Sequence, residues 1–281
     1  MKKKTFKVLK DDSLISVLSC NGIAKNKVKT LVKLGFVYVN DKCIKKLPFN
    51  VSEGDVISIS DSIRSNLVII YEDDNYLVVN KPNGLLTIST SKINKNIENT
   101  LYREVREYLN SKNEYAFIVN RIDKETSGIV IFSKHEWLKN RLQDNWNDIV
   151  KSRKYIALVS GKITSSGRID NYLYEDKLTV SHSTNFGGKR AITNYNPIKY
   201  NNKYTLLDIN IETGRKNQIR VHMSEMKHPI VGDKKYFSKD NSFKRLMLHH
   251  YEISLINPID NKLITFKCEI PYEFNNIFNN N

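Results

Sequence analysis

Cysteine is scarce: the 281 residues hold three, and Cys20, Cys43 and Cys268 share no metal-ligand spacing. That disfavours a disulfide framework and a structural metal site, and leaves reduced thiols buried as small apolar groups. Long apolar runs are missing as well, since no stretch approaches the roughly 18 uncharged residues that a membrane span needs. Met1 to Lys4 carries the charge of a leader, yet Lys7, Lys10, Asp11 and Asp12 interrupt any apolar core behind it. The expectation is a cytoplasmic protein with no membrane attachment. No G-x-G-x-x-G follows an apolar strand, which removes the main cue for a dinucleotide cofactor. His222, His228, His249 and His250 lack the H-x-E and C-x-x-C pattern of zinc deaminases. Neither a cofactor nor a metal is expected. The last deficit is acid: 30 Asp and Glu face 45 Lys and Arg, a formal charge of +15. Such a field attracts polyanions, nucleic acid first and an anionic membrane surface second.

The charge is uneven. Residues 1–60 carry 12 lysines and no arginine against 5 acids, so 12 − 5 = +7 sits in about a fifth of the chain. Leu14, Val17 and Leu18 recur at helical spacing before Asn21-Gly22, and a second helical pattern runs from Lys25 to Leu34, closed by Gly35. Lys25, Lys29 and Lys33 then stack on one face with Lys27 beside them. A lysine row is most often a solvated face, but the local excess of charge favours RNA contact here. The string GIAKNKVKTLVKLGFVYVNDK, followed by VSEGDVISI, resembles the small RNA-binding domain first known from ribosomal protein S-four. The resemblance implies a small α/β unit of two short helices on a sheet, with the second helix presented to RNA. It covers roughly residues 12–60; the domain is set at 1–60, with 61–66 (DSIRSN) as a polar linker.

From Leu67 the pattern changes. LVIIY and YLVVN are apolar runs joined by an acidic turn, and Thr100 to Asn110 carries an amphipathic stripe. Strand-like runs recur at 115–119, 129–133, 154–160, 204–211 and 263–268, with a helical pattern near 135–149. This predicts α+β architecture with a mainly antiparallel sheet. Residues 83–99 and 162–196 are expected to be loops, with Gly187 to Arg190 a basic turn. The catalytic domain is set at 67–275 and the asparagine-rich 276–281 is expected to fray.

Between EYAFIV and IVIFSK lies the polar loop Asn120 to Gly128, held by two buried strands, a position where functional groups tend to sit. On its own, Asp123 would more often cap a turn than react. The string NRIDKETSGIVIFSK, however, resembles the signature loop of RluA-type pseudouridine synthases, usually HRLD followed by TSG and an apolar strand. IIYEDDNYLVVNKPNGLL, KSRKYIALVSG, TGRKNQIRVHMSEMKHPIVGDKKY and RLMLHHYEISLINP continue the likeness in order, from residue 67 onward. It implies isomerisation of uridine to pseudouridine with Asp123 as the essential group, attacking the sugar, adding to the base or removing a sugar proton. It also implies that Arg220 pairs with Asp123 and that Tyr155 packs on the flipped base. Arg121 would fill the space the extruded uridine leaves. Two departures stand out: Asn120 replaces a usual histidine, and Asn217 stands where TGR is commonly followed by T-H-Q.

The sequence therefore predicts a cofactor-independent RNA pseudouridine synthase, expected as a monomer, with large-subunit ribosomal RNA the first substrate and transfer RNA the second. A non-catalytic RNA-binding or ribosome-assembly factor is the rival. Asp123, Tyr155 and Arg220 occurring together argue against it.

Overall fold

Val28 and Val32 are buried while Lys25, Lys27 and Lys29 are exposed, so the basic pattern is the outer face of a helix. The computed structural model describes residues 4–33, 36–59, 67–89, 99–175, 181–184, 187–236, 238 and 243–278. Gly35 and all of the expected linker at 61–66 lie outside them, as does the side chain of Lys33.

The chain divides into two compact units, one of residues 1–66 and 88–113 and one of 67–87 and 114–281. The first contains β1 (Lys4–Lys7), β2 (Asp12–Ser13), α1 (Leu14–Cys20), α2 (Lys25–Lys33), β3 (Val37–Val39), β4 (Lys42–Cys43), β5 (Asn50–Val51), β6 (Val56–Ile59) and α3 (Leu101–Asn110). The Ser13 hydroxyl accepts from the Ser16 amide at 3.1 Å and caps α1. Leu14, Leu18, Val28 and Val32 pack on Val37, Val39 and Ile57 of the four-stranded sheet β1-β6-β3-β4. The described residues of 88–113, which are 88–89 and 99–113, are set within the 67–275 domain on sequence and group with this first unit. One local reason is that the Arg103 guanidinium of α3 sits 4.7 Å over the Phe36 ring.

The second unit holds β7 (Val68–Glu72), β8 (Tyr76–Lys81), β9 (Phe117–Ile118), β10 (Ser127–Ser133), α4 (Glu136–Asp144), α5 (Trp146–Ile149), β11 (Val150–Ser160), β12 (Gly167–Glu175), β13 (Ser181–Thr184), β14 (Lys189–Tyr200), β15 (Tyr204–Ile211), α6 (Gln218–Glu225), β16 (Leu248–Ile256), β17 (Leu263–Lys267) and α7 (Glu273–Asn276). Its sheet runs β13-β12-β14-β15-β11-β16-β10-β8-β7, with β17 on β16 and β9 on β10. The β10–β16 pair is parallel and the other described pairs of this sheet are antiparallel, as the α+β reading expects. Every residue of β10 is buried, which explains its uninterrupted apolar run, since a strand covered on both faces has no solvent side to alternate with. Leu138 and Leu142 of α4 join one core with Ile129 and Ile131. Ile219 and Met223 of α6 join another with Ile156, Leu158 and Leu207. Each such side chain contributes about 1.5–3 kcal/mol on burial.

Two expectations change. Residues 162–196 are not mainly loop: β12, β13 and much of β14 lie there, Lys189 and Arg190 included. These strands bury one face only, as the alternating exposure of 167–173 shows, and their polar outer residues resemble loop composition. Of the segment 276–281 expected to fray, Ile277 and Phe278 pack on the core that holds the fully buried Phe274, and 279–281 lie outside the described residues.

Candidate active site

The loop bearing Asp123 is held by backbone bonds rather than by its own side chains. Lys81, fully buried at the end of β8, donates from Nζ to the carbonyls of Pro82 at 3.0 Å, Leu85 at 2.7 Å and Lys124 at 3.0 Å. The Gly84 amide donates to the same Lys124 carbonyl at 2.9 Å, Asn83 Nδ2 donates to the Glu125 carbonyl, and Thr87 Oγ1 donates to the Ile122 carbonyl at 2.7 Å. Segment 81–87 thus grips residues 122, 124 and 125 on both sides of Asp123. The loop starts where Asn120 Oδ1 accepts from the Ile131 amide at 2.7 Å, so this departure from histidine serves as a pin onto β10. It ends at Gly128, where a Cβ would collide with the His250 backbone. Only glycine lets β10 approach β16 this closely.

Arg220 reaches Asp123 from α6, with Nη1 4.0 Å from Oδ2. The expected pairing is therefore present but long. The bidentate partner of Arg220 is Asp233, whose carboxylate accepts from Nε at 2.8 Å and Nη2 at 2.7 Å. Asp233 Oδ1 also accepts from the amides of Lys235 and Tyr236 at 3.0 and 3.1 Å. Asn217, left-handed at φ 55°, accepts from Arg220 Nη1 at 3.0 Å, so the second departure helps aim the guanidinium. Gln218 and His222 anchor α6 to β14: Gln218 Nε2 donates to the Ile192 carbonyl at 2.9 Å, and Thr193 Oγ1 lies 2.9 Å from His222 Nδ1.

Tyr155 lies on β11, 8 % exposed. Its ring stacks on the His250 imidazole with centroids 4.5 Å apart and planes 17° apart. The two are cross-strand partners only because the β11–β16 register slips between Lys154 and Tyr155, a bulge that re-aims a side chain. Burial lowers His250 to about 4, so the platform is neutral. Burial likewise raises the Tyr155 hydroxyl to about 12; Arg153 opposes that rise and Asp123 adds to it.

Burial raises the pKa of Asp123 above the ordinary carboxylate value, against the pull of Arg220, Lys235 and Lys81. The side chain keeps 31 % of its surface open, so the carboxylate is sunk among cations yet reachable. Burial works against the charge on Arg220, but its bonds to Asp233, with Asp123 adding to them, raise its pKa overall. Lys81 is lowered by burial to about 7, with Asp123 and Glu125 pulling it back up. Its three carbonyl acceptors match the three protons of an ammonium. Among the described residues no group of His, Cys, Asp and Glu is arranged to hold a metal ion, and no helix is long and apolar enough to cross a membrane.

Asp123, Tyr155 and Arg220 are thus brought together in the second unit. Arg121 is exposed on the same loop two residues before Asp123, and Lys25, Lys27 and Lys29 line the exposed face of α2 in the first unit. Sequence reasoning missed Lys81, Asp233 and His250 as parts of the site. All three lie inside the motifs above, in KPNG, GDKKY and RLMLHHYEISLINP, but the partners that place them in the site are 43, 13 and 95 residues away.

Residues 75–225 match the RNA pseudouridylate synthase family. The chain is 33% identical over 255 residues to the ribosomal large subunit pseudouridine synthase C of Rickettsia felis, covering 86% of this chain and 81% of the relative. It is 28% identical over 277 residues to the ribosomal large subunit pseudouridine synthase D of Pasteurella multocida, covering 89% and 85%. Among solved structures, human RNA pseudouridylate synthase domain containing 1 shares the fold at TM-score 0.62 and 20% identity, over 76% of this chain and 87% of that one. By its sequence match and its fold, this chain belongs to the RNA pseudouridylate synthase family.

Proposed function

We propose that this protein isomerises specific uridines to pseudouridine in large-subunit ribosomal RNA, with Asp123 as the essential group. The observation that carries the reading is the open carboxylate of Asp123, gripped through its flanking carbonyls and facing Arg220 and Tyr155. The reaction breaks the bond between sugar carbon and N1, turns the base, and forms a bond from the same sugar carbon to C5. The C5 proton leaves to solvent and N1 gains one, so atoms and electrons balance without an external redox partner. A carboxylate serves such a step as nucleophile or base. Tyr155, backed by His250, offers a flat apolar face to the extruded base, whose removal from its stack costs a few kcal/mol. Arg220 keeps Asp123 ionised and directed, and Arg121 fills the vacated stack. Lys25, Lys27, Lys29 and Lys33 are assigned to the RNA backbone, within an RNA-binding domain at residues 1–60. The names of the curated relatives support ribosomal RNA over transfer RNA.

The test is chemical mapping of pseudouridine in total RNA from cells with and without the gene. Loss of one or more large-subunit sites is expected. Loss confined to transfer RNA would move the substrate, and no loss in any RNA would reject the activity.

A further inference from the structure

We infer that the Arg153 guanidinium, two residues before Tyr155 on β11, is a binding site for an RNA phosphate beside the target uridine. The inference rests on the reading of the protein as an RNA-modifying enzyme. Arg153 is 9 % exposed, and its Nη2 donates to the Glu212 carbonyl at 2.6 Å. Among the described residues no carboxylate lies within ion-pair distance of it. The ionisable groups facing it are Tyr155, Arg215 and His250. Three other buried or half-buried cations of this unit have carboxylates: Arg220 has Asp233, Lys134 has Glu72 and Glu114, and Arg245 has Glu273; Lys81 has none but spends its three donors on backbone carbonyls, whereas the Arg153 guanidinium has one carbonyl for five. A guanidinium taken from water without a counter-charge is costly and is ordinarily paired. Here the folded chain leaves the pairing to a ligand.

The way in is also visible. Nη1 lies against Gly214, where a Cβ would stand only 2.8 Å away. Gly214 is itself exposed, so what lies on that side of the guanidinium is a residue without a side chain. Arg215, exposed, follows it in sequence and adds positive charge at the mouth, while Lys216 beyond it is paired with Glu175. A planar fork with free donors matches phosphate oxygens. Two residues of strand separate Arg153 from Tyr155, roughly 7 Å, so a base lying on Tyr155 brings its own or the adjoining phosphate to Arg153. Arg153 then acts by holding the nucleotide, and the chemistry stays with Asp123.

The experiment uses the full chain and a ribosomal RNA fragment containing the target uridine. Tritium release from C5 gives KM and kcat, and filter binding gives affinity against salt. Arg153→Met, which keeps the stem and removes the charge, is expected to raise KM about tenfold or more while kcat changes little. It should also flatten the slope of log affinity against log salt by about 1. Arg153→Lys should restore part of both. Wild-type protein should lose comparable affinity when the phosphate on one side of the uridine is replaced by a neutral methylphosphonate, and Arg153→Met should bind both RNAs alike. If Arg153→Met fails to fold, the methylphosphonate series on wild-type protein still decides. Wild-type binding that ignores methylphosphonate on both sides, or a Met variant with unchanged KM and salt slope, would overturn the inference. Failure of the enzymatic reading looks different, because wild type would then release no tritium from any RNA.

Discussion

Arg220 gives its bidentate edge to Asp233, at 2.8 and 2.7 Å, and a single nitrogen at 4.0 Å to Asp123. The division of labour follows from geometry. The Asp233 carboxylate is taken up by the guanidinium and by the amides of Lys235 and Tyr236, whereas Asp123, facing the guanidinium at 4.0 Å, is stabilised as an anion and still open. Asp233 holds the arginine so that Asp123 need not.

Replacing Asp233 by Asn should therefore damage both stability and rate. The pair is buried, and removing one partner of such a pair costs about 3–5 kcal/mol. A drop of this size in urea-derived unfolding free energy, together with at least a tenfold fall in kcat, is expected. A variant as stable as wild type would show that Arg220 is held by Asn217 alone.

Asp123→Asn should abolish tritium release and leave RNA affinity within a few fold, because affinity is dominated by cations facing phosphate. Its folded pKa is raised, so this group's contribution to stability is fully present below the unfolded value and is lost as pH rises through the folded one. At neutral pH the Asn variant should accordingly be at least as stable as wild type. The same shift places the acid limb of kcat/KM, which reports the free enzyme, above the ordinary carboxylate range. An acid limb at or below pH 4 would contradict it.

Lys81→Met should lower kcat by about a hundredfold, since it removes three bonds from a charged donor, each worth about 1.5–3 kcal/mol, and frees the loop at Lys124. The folded pKa of Lys81, about 7, lies below its unfolded value. Between the two the unfolded chain holds the extra proton, so stability from this group rises with pH across that window. The melting temperature of wild type minus that of Lys81→Met should rise from pH 7 to pH 10. A flat difference would mean that Lys81 stays charged throughout.

Lys25, Lys27 and Lys29 changed together to Gln should weaken RNA binding and flatten its salt dependence by about 2–3 in log–log slope, as three fewer phosphates are neutralised. Circular dichroism should be unaffected, because all three side chains are exposed. An unchanged slope would remove α2 from the RNA surface.

Much of this protein was readable from its chain alone because the determining interactions are local. Apolar runs of four to six residues name the central strands. The string from Asn120 to Gly128 marks a polar loop between two of them, and the alternation around Tyr155 places it in a strand. The charge of residues 1–60 points to a polyanion. The tertiary structure decided the rest. Strands β12 to β14 resemble loop in sequence because a strand with one wet face and polar residues has no strong local signature. His250 lies under Tyr155, 95 positions earlier in the chain, through a slipped register that no periodicity encodes. Asp233, rather than Asp123, is the main partner of Arg220, and Lys81 ties down a loop 43 residues away. Side-chain pairing across such separations depends on how strands register and turns aim, and those are properties of the packed chain.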